Sequence, residues 1–221
     1  MNKVFTREAE KLKELLLRQA GEVESRLSRV LQGVDSASTP ELSALIALDN
    51  ELDEREVVIE EECLKILALH QPVAKDLRFV IAILKINNDL ERIGDIVANI
   101  ADRGIRLTAF PRVDILNKIF TMGNLVGKML KEGLDAFISQ DLTKAKKIVE
   151  SDDTVDALNR EIVQAVIHRV KTPEQVACVE ALILVKSMAR DIERIGDHAA
   201  NIAEDVAYLA DGTIIRHKEI Q

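Results

Sequence analysis

The sequence lacks tryptophan and has one tyrosine and five phenylalanines, so aromatic residues fill only 3% of its 221 positions. Glycine (nine) and proline (four) are also scarce. Together these shortages favour long helices filled by Leu, Ile, Val and Ala. The two cysteines, Cys63 and Cys178, are isolated and form no Cys-x-x-Cys, which leaves ordinary reduced core thiols rather than a disulfide framework. Long apolar runs are missing too. Phe79 to Leu84 and Ala181 to Val185 fall far short of the ~20 residues a membrane span needs, so no membrane insertion is expected. Met1-Asn2-Lys3 leads directly into a charged helix without a signal peptide, and the expectation is a soluble, cytoplasmic protein. A net charge of −8 argues against a nucleic-acid footprint and leaves metal cations and basic protein surfaces as partners.

Chemical signatures are equally sparse. No phosphate loop, nucleophile elbow or dinucleotide fingerprint occurs. A carboxylate-bridged di-iron oxidase needs Glu-x-x-His on its helices, and none of His70, His168, His198 or His217 has Glu three residues before it. The expectation is a protein that is not an enzyme.

What is present is a repeat. Asp89-Leu90-Glu91-Arg92-Ile93-Gly94-Asp95 returns as Asp191-Ile192-Glu193-Arg194-Ile195-Gly196-Asp197, and Ala98-Asn99-Ile100-Ala101-Asp102 returns as Ala200-Asn201-Ile202-Ala203-Glu204. On a helix, Glu91, Asp95, Asn99 and Asp102 form one stripe, while Leu90, Ile93, Val97 and Ile100 lie on the other side. Gly94 and Gly196 each cost about 1 kcal/mol relative to Ala inside a helix. With the neighbouring alanines they form a small-residue strip that lets another helix approach closely. A second acidic pair repeats as well, Asp49 and Asp53 returning as Asp152 and Asp156. Glu56 and Glu60 extend only the first copy, where the second has Asn159 and Val163.

In chain order, hydrophobic spacing predicts helices over 3–33, 40–69 and up to about 107, then 113–138, 142–170 and up to about 209. Thr39 is read as an N-cap with Pro40 opening the second helix, and Thr172-Pro173-Glu174-Gln175 as a capping-box start for the sixth. Gly33, Gly104 and Gly212 are read as C-terminal glycines. The fold class that follows is all-α: two tandem antiparallel three-helix bundles related by an internal repeat, residues 1–109 and 110–221, with Phe110-Pro111 at the boundary.

Four carboxylates from two adjacent helices make a hard, oxygen-only ligand set suited to Mg²⁺, Ca²⁺, Mn²⁺ or iron. Asn99 and Asn201 would add an amide ligand or orient a carboxylate. The alternative is a solvated face balanced by Arg92, Arg194 and lysines, worth at most ~1 kcal/mol per pair. His198, which stands where the first copy has Ile96, reads as a local hydrogen-bonding residue.

The doubled Asp-Leu/Ile-Glu-Arg-Ile-Gly-Asp motif, the paired Asp-x-x-x-Asp and the segment Gln71-Pro72-Val73-Ala74-Lys75-Asp76-Leu77-Arg78 resemble the PhoU family of bacterial and archaeal phosphate-uptake regulators, across essentially the whole chain. The resemblance implies two three-helix bundles, often as a homodimer, with divalent or iron cations (Fe, Mn, Mg or Zn) on carboxylate clusters. Carried onto this sequence, the implied ligands are Asp49, Asp53, Glu91 and Asp95 in one half and Asp152, Asp156, Glu193 and Asp197 in the other. Asn99, Asp102, Asn201 and Glu204 are further candidates. The implied role is negative regulation of phosphate uptake and the phosphate-starvation response, between the ATPase subunit of a phosphate ABC transporter and a sensor histidine kinase. A metal-free structural adaptor and a carboxylate-bridged metal enzyme are the alternatives.

Overall fold

The computed structural model describes residues 3–170 and 179–212. Among the described residues the chain forms helices α1 (Lys3–Asp35), α2 (Thr39–Ala47), α3 (Asp49–His70), α4 (Ala74–Leu107), α5 (Leu116–Ser139), α6 (Leu142–Val170) and α7 (Val179–Asp211). None is long and apolar enough to cross a membrane.

The first bundle packs α1 against α2, α3 and α4, and the second packs α5, α6 and α7. Each helix buries one stripe. On α1 it is Leu12, Leu16, Val23, Leu27 and Val30, and on α4 it includes Leu90, Ile93, Val97 and Ile100, as the periodicity requires. Turn chemistry sets the ends. His70 is followed by Gln71 in the left-handed conformation, and Ser139 by Gln140 in the same region. The Asp141 carboxylate then accepts from the Thr143 and Lys144 amides at 3.0 and 3.1 Å, capping α6.

Four sequence readings need correction or fall outside this description. The predicted helix over 40–69 is two helices, broken at Leu48, whose carbonyl accepts from the Glu51 amide at 3.1 Å and from Arg26 Nη1 at 2.8 Å. Thr39 is inside α2; the N-cap position is Ser38, which makes no side-chain capping bond. Gly33 and Gly104 do not end helices. They lie within α1 and α4, where a Cβ on Gly33 would sit 2.8 Å from Leu42 and one on Gly104 would sit 2.8 Å from Val34 and 3.0 Å from Leu42, so their lack of a side chain admits Leu42 of α2 into the bundle. Gly212, at φ +77°, does end α7. The start read at Thr172-Pro173 and Cys178 lie outside the described residues, while Cys63 is buried, its thiol pushed up to about 12 by burial.

The halves join through α4 on α7 and α1 on α5. The α4–α7 seam is antiparallel and polar at intervals. Lys85 Nζ meets Asp205 Oδ1 at 2.7 Å, Asp89 Oδ1 meets His198 Nδ1 at 2.8 Å, Arg103 pairs with Asp191, and Arg106 reaches Glu180 at 3.6 Å. The apolar core runs continuously through both bundles.

Candidate metal centres

Each half places its two acidic pairs on adjacent helices, α3 with α4 and α6 with α7, and the intrahelical glycine is what brings them together. A Cβ on Gly94 would sit 2.6 Å from Leu52 Cδ1 on α3, the residue before Asp53. A Cβ on Gly196 would sit 3.2 Å from Val155 and 3.3 Å from Asp152 Oδ1 on α6. The small-residue strip therefore lets in the helix that carries the second acidic pair.

In the first half, one oxygen each from Asp53, Glu91 and Asp95 lie within 4.8 Å of one another. A six-coordinate ion with bonds of about 2.0–2.1 Å separates opposite ligands by ~4 Å, so this spacing fits a shared cation after small side-chain adjustment. Asp49 stands beside the trio: burial, then Asp95 and Asp53, raise its pKa, and Arg26 opposes them. Burial raises Glu91 too, helped by Asp95, Asp53 and Glu56 and opposed by Arg92. Arg92 touches the cluster directly, with Nε 3.2 Å from Glu91 Oε2 and Nη1 3.3 Å from Asp95 Oδ2. Both sequence readings of the acids thus have a physical basis here: the carboxylates converge, and an arginine partly balances them.

Among the described residues no trio of the second cluster's carboxylates converges as closely. Its distinguishing member is Asp152. Burial and the carboxylates of Asp197, Asp156, Asp153 and Glu193 push it up to about 6. Its Oδ1 is buried and accepts no hydrogen bond. A desolvated carboxylate oxygen without a hydrogen bond, crowded by other acids, needs a proton or a cation. Asp197 keeps an exposed surface, yet desolvation of its carboxyl, with Glu193 and Asp156, raises it as well, against Arg190 and His198. The cation contacting Glu193 is Arg190, and Arg160 lies 3.8 Å from Asp156. Arg194, expected to balance the second cluster, acts instead on Asp191.

The outlying candidates fall into place differently. Asn99 Nδ2 donates to the Asp95 carbonyl at 2.9 Å, within its own helix. Asp102 is exposed, about 10 Å further along α4 than Asp95. Asn201 and Glu204 are half-buried on α7. His198 is a hydrogen-bonding residue, but not a local one: its partner is Asp89, across the seam in the other half. Sequence reasoning missed two features. Asp89 and Asp191 open the two motif copies but sit in the buried stripe, paired across the seam. Arg26 interrupts the apolar run of α1 between Val23 and Leu27. An ionisable residue in phase with a buried stripe was the available signal for all three.

Comparison with known proteins agrees with this fold. A model of the PhoU domain matches residues 16–104 and again 119–206. The phosphate-specific transport system accessory protein PhoU homologue of Pseudomonas aeruginosa is 36% identical over 96% of this chain and 88% of its own length. That of Aquifex aeolicus is 35% identical, over 97% and 96%. The crystal structure of PhoU from Pseudomonas aeruginosa superimposes with a TM-score of 0.89 at 34% identity, covering 95% of this chain and all of that one. The phosphate transport system regulatory protein PhoU of Streptococcus pneumoniae gives 0.88 at 28% identity, over 95% and 98%. The chain belongs to the PhoU family, a family of accessory and regulatory proteins rather than enzymes.

Proposed function

We propose that this protein restrains phosphate uptake and the phosphate-starvation response as a cytoplasmic, cation-binding helical adaptor. The observation carrying the regulatory part is the match of both repeats to PhoU domains, with relatives named as accessory proteins of the phosphate-specific transport system. Its partners in this reading are the ATPase subunit of a phosphate ABC transporter and a sensor histidine kinase, and it acts as a homodimer. Deletion of the gene is the test: alkaline phosphatase expression should rise in phosphate-rich medium, and unchanged expression and uptake would refute the role.

The cation part rests on the convergence of Asp53, Glu91 and Asp95 and on the unpartnered Asp152 Oδ1. A bound divalent or iron ion would be held by Asp49, Asp53, Glu91 and Asp95 in one half and by Asp152, Asp156, Glu193 and Asp197 in the other. Its contribution is electrostatic. It neutralises like charges that two adjacent helices force together, so occupancy favours the folded chain by mass action. The contacts of Arg92 with Glu91 and Asp95 favour a second reading, a metal-free adaptor. Melting curves of wild type and of Glu91→Gln with Asp95→Asn, in chelator and in Mn²⁺, separate the two. Cation binding requires the double variant to melt higher than wild type in chelator and lower in Mn²⁺. A variant that melts lower in both, with a wild type indifferent to chelator, makes the acids partners of arginine.

A further inference from the structure

The two halves are not equivalent where their acids meet the core. Leu16, Val23 and Leu27 of α1 recur, 103 residues on, as Ile119, Val126 and Leu130 of α5, all buried. The same offset relates Asp49 and Asp53 to Asp152 and Asp156. It pairs Arg26, 2% exposed, with Met129, and buried Gln19 with buried Met122. The chain therefore contains its own comparison: one half has a guanidinium in the core behind the acids, and the other has a thioether there.

Arg26 is tied down on two sides. Nε donates to Glu22 Oε1 at 2.9 Å and Nη1 to the Leu48 carbonyl at 2.8 Å. Nη2 is buried without a hydrogen-bond partner, 4.0 Å from Glu51 Oε2. Leu48 is where the helix breaks and Asp49 is where α3 begins. A carbonyl drawn toward a side-chain donor and a short i+3 amide no longer extends the regular ladder. In the second half, with Met129, α6 runs unbroken from Leu142 through Asp152 to Val170. A buried guanidinium is stable only among anions, and this one is bonded to the carbonyl of the residue before Asp49 and lies 4.0 Å from Glu51 Oε2 on the same helix.

We propose that Arg26 is a positioning residue for the first acidic cluster: it breaks the helix at Leu48, sets Asp49 at the start of α3, and stands as a fixed counter-charge. The first cluster consequently takes a divalent cation more weakly than it would with a neutral core residue, such as the second half's Met129, in that place. The affinity difference rests on the cation reading above; the counter-charge does not.

The test uses the full chain and Mn²⁺. With the second cluster silenced by Glu193→Gln and Asp197→Asn, free Mn²⁺ is followed by electron paramagnetic resonance while the first cluster is titrated. Arg26→Met should tighten Mn²⁺ binding about tenfold by removing the repulsion of one nearby positive charge, and Arg26→Lys should stay within about twofold of the parent. If Arg26→Met fails to fold, Arg26→Gln replaces it with the same expectation. A metal-free cycle in chelator, combining the Arg26 variant with Asp49→Asn, should be non-additive, with Asp49→Asn more favourable once the guanidinium is gone. Hydrogen exchange at residues 49–52 should slow in Arg26→Met as the helix closes over Leu48. Unchanged or weaker Mn²⁺ affinity, while a separate chain carrying Glu91→Gln and Asp95→Asn still binds Mn²⁺ at the second cluster, overturns the affinity claim and leaves the cation reading standing. An absence of Mn²⁺ uptake at either cluster overturns both. Additivity in the chelator cycle overturns the counter-charge whatever the metal does, and unchanged exchange at 49–52 overturns the helix break.

Discussion

Asp152 concentrates the electrostatics of the second cluster in one side chain. Its folded pKa of about 6 lies above the ordinary 3.8 because burial and four neighbouring carboxylates oppose its ionisation. Between those values the native chain holds a proton that the unfolded chain has released, so stability from this group is full below about pH 4 and is lost as pH rises through 6. Asp49, Glu91 and Asp197 are displaced in the same direction. In chelator the protein is therefore expected to melt higher at pH 5 than at pH 7.5, followed by circular dichroism since tryptophan is absent. Asp152→Asn should raise the pH 7.5 melting temperature and leave the pH 4 value nearly unchanged. A wild-type midpoint that climbs from pH 5 to 7.5 in chelator would contradict the charge crowding. Mn²⁺ should reverse the order at pH 7.5, stabilising wild type more than the variant.

At the scale of helices, close approach and buried pairing decide the geometry of the sites. Gly94 faces Leu52, which is 1% exposed and has little room to retreat. Alanine there gains helix propensity of about 1 kcal/mol but overpacks the α3–α4 contact, which costs ~1–3 kcal/mol. Gly94→Ala should thus lower stability by about 1 kcal/mol, whereas in a chain already carrying Leu52→Ala the same change should stabilise. Denaturant melts of the four proteins check the sign reversal. The α4–α7 seam offers a larger effect. Asp191 is buried and opposed by Arg103 and Arg194. Arg103→Met leaves that carboxylate without its direct partner and is expected to cost about 3 kcal/mol at pH 7. Adding Asp191→Asn should recover much of the loss, and a strictly additive pair would show that the seam contact contributes no coupling.

Over the whole molecule, one apolar core passes through both bundles, and the halves are held by α4 on α7 and α1 on α5. Leu31 packs where Gly123 lacks a side chain, and Asp89, Asp191 and Asp205 are buried with partners from the other half. The repeat marks two units in the sequence, and these contacts predict that the pair folds as one. Residues 1–109 made alone would expose the α4 face, including Asp89 without His198. The expected product associates or binds a hydrophobic dye with non-cooperative melting, and it should gain a cooperative transition when mixed with 110–221. A monomeric 1–109 fragment with a sharp melt would establish independent domains.

Much of this was legible in the linear sequence because helices are local. Period and turn residues located α1, α6 and the end of α4 within a residue or two, and the acidic pairs of the first copy include the Asp53, Glu91 and Asp95 that the packing brings together. The intrahelical glycines foretold a close neighbour, since only contact justifies their propensity cost. Tertiary structure alone decided the rest, for reasons of distance along the chain. The break at Leu48 depends on a guanidinium 22 residues away, and no local signal at 40–69 contains it. Gly33 and Gly104 resembled helix ends until Leu42 occupied the space beside them. Which arginine balances which acid, Arg190 rather than Arg194 at Glu193, follows from side-chain direction on a packed helix. Sequence determined two similar acid-bearing halves. Packing made them unequal, because burial sets the strength of each charge and the core residue behind it differs between Arg26 and Met129.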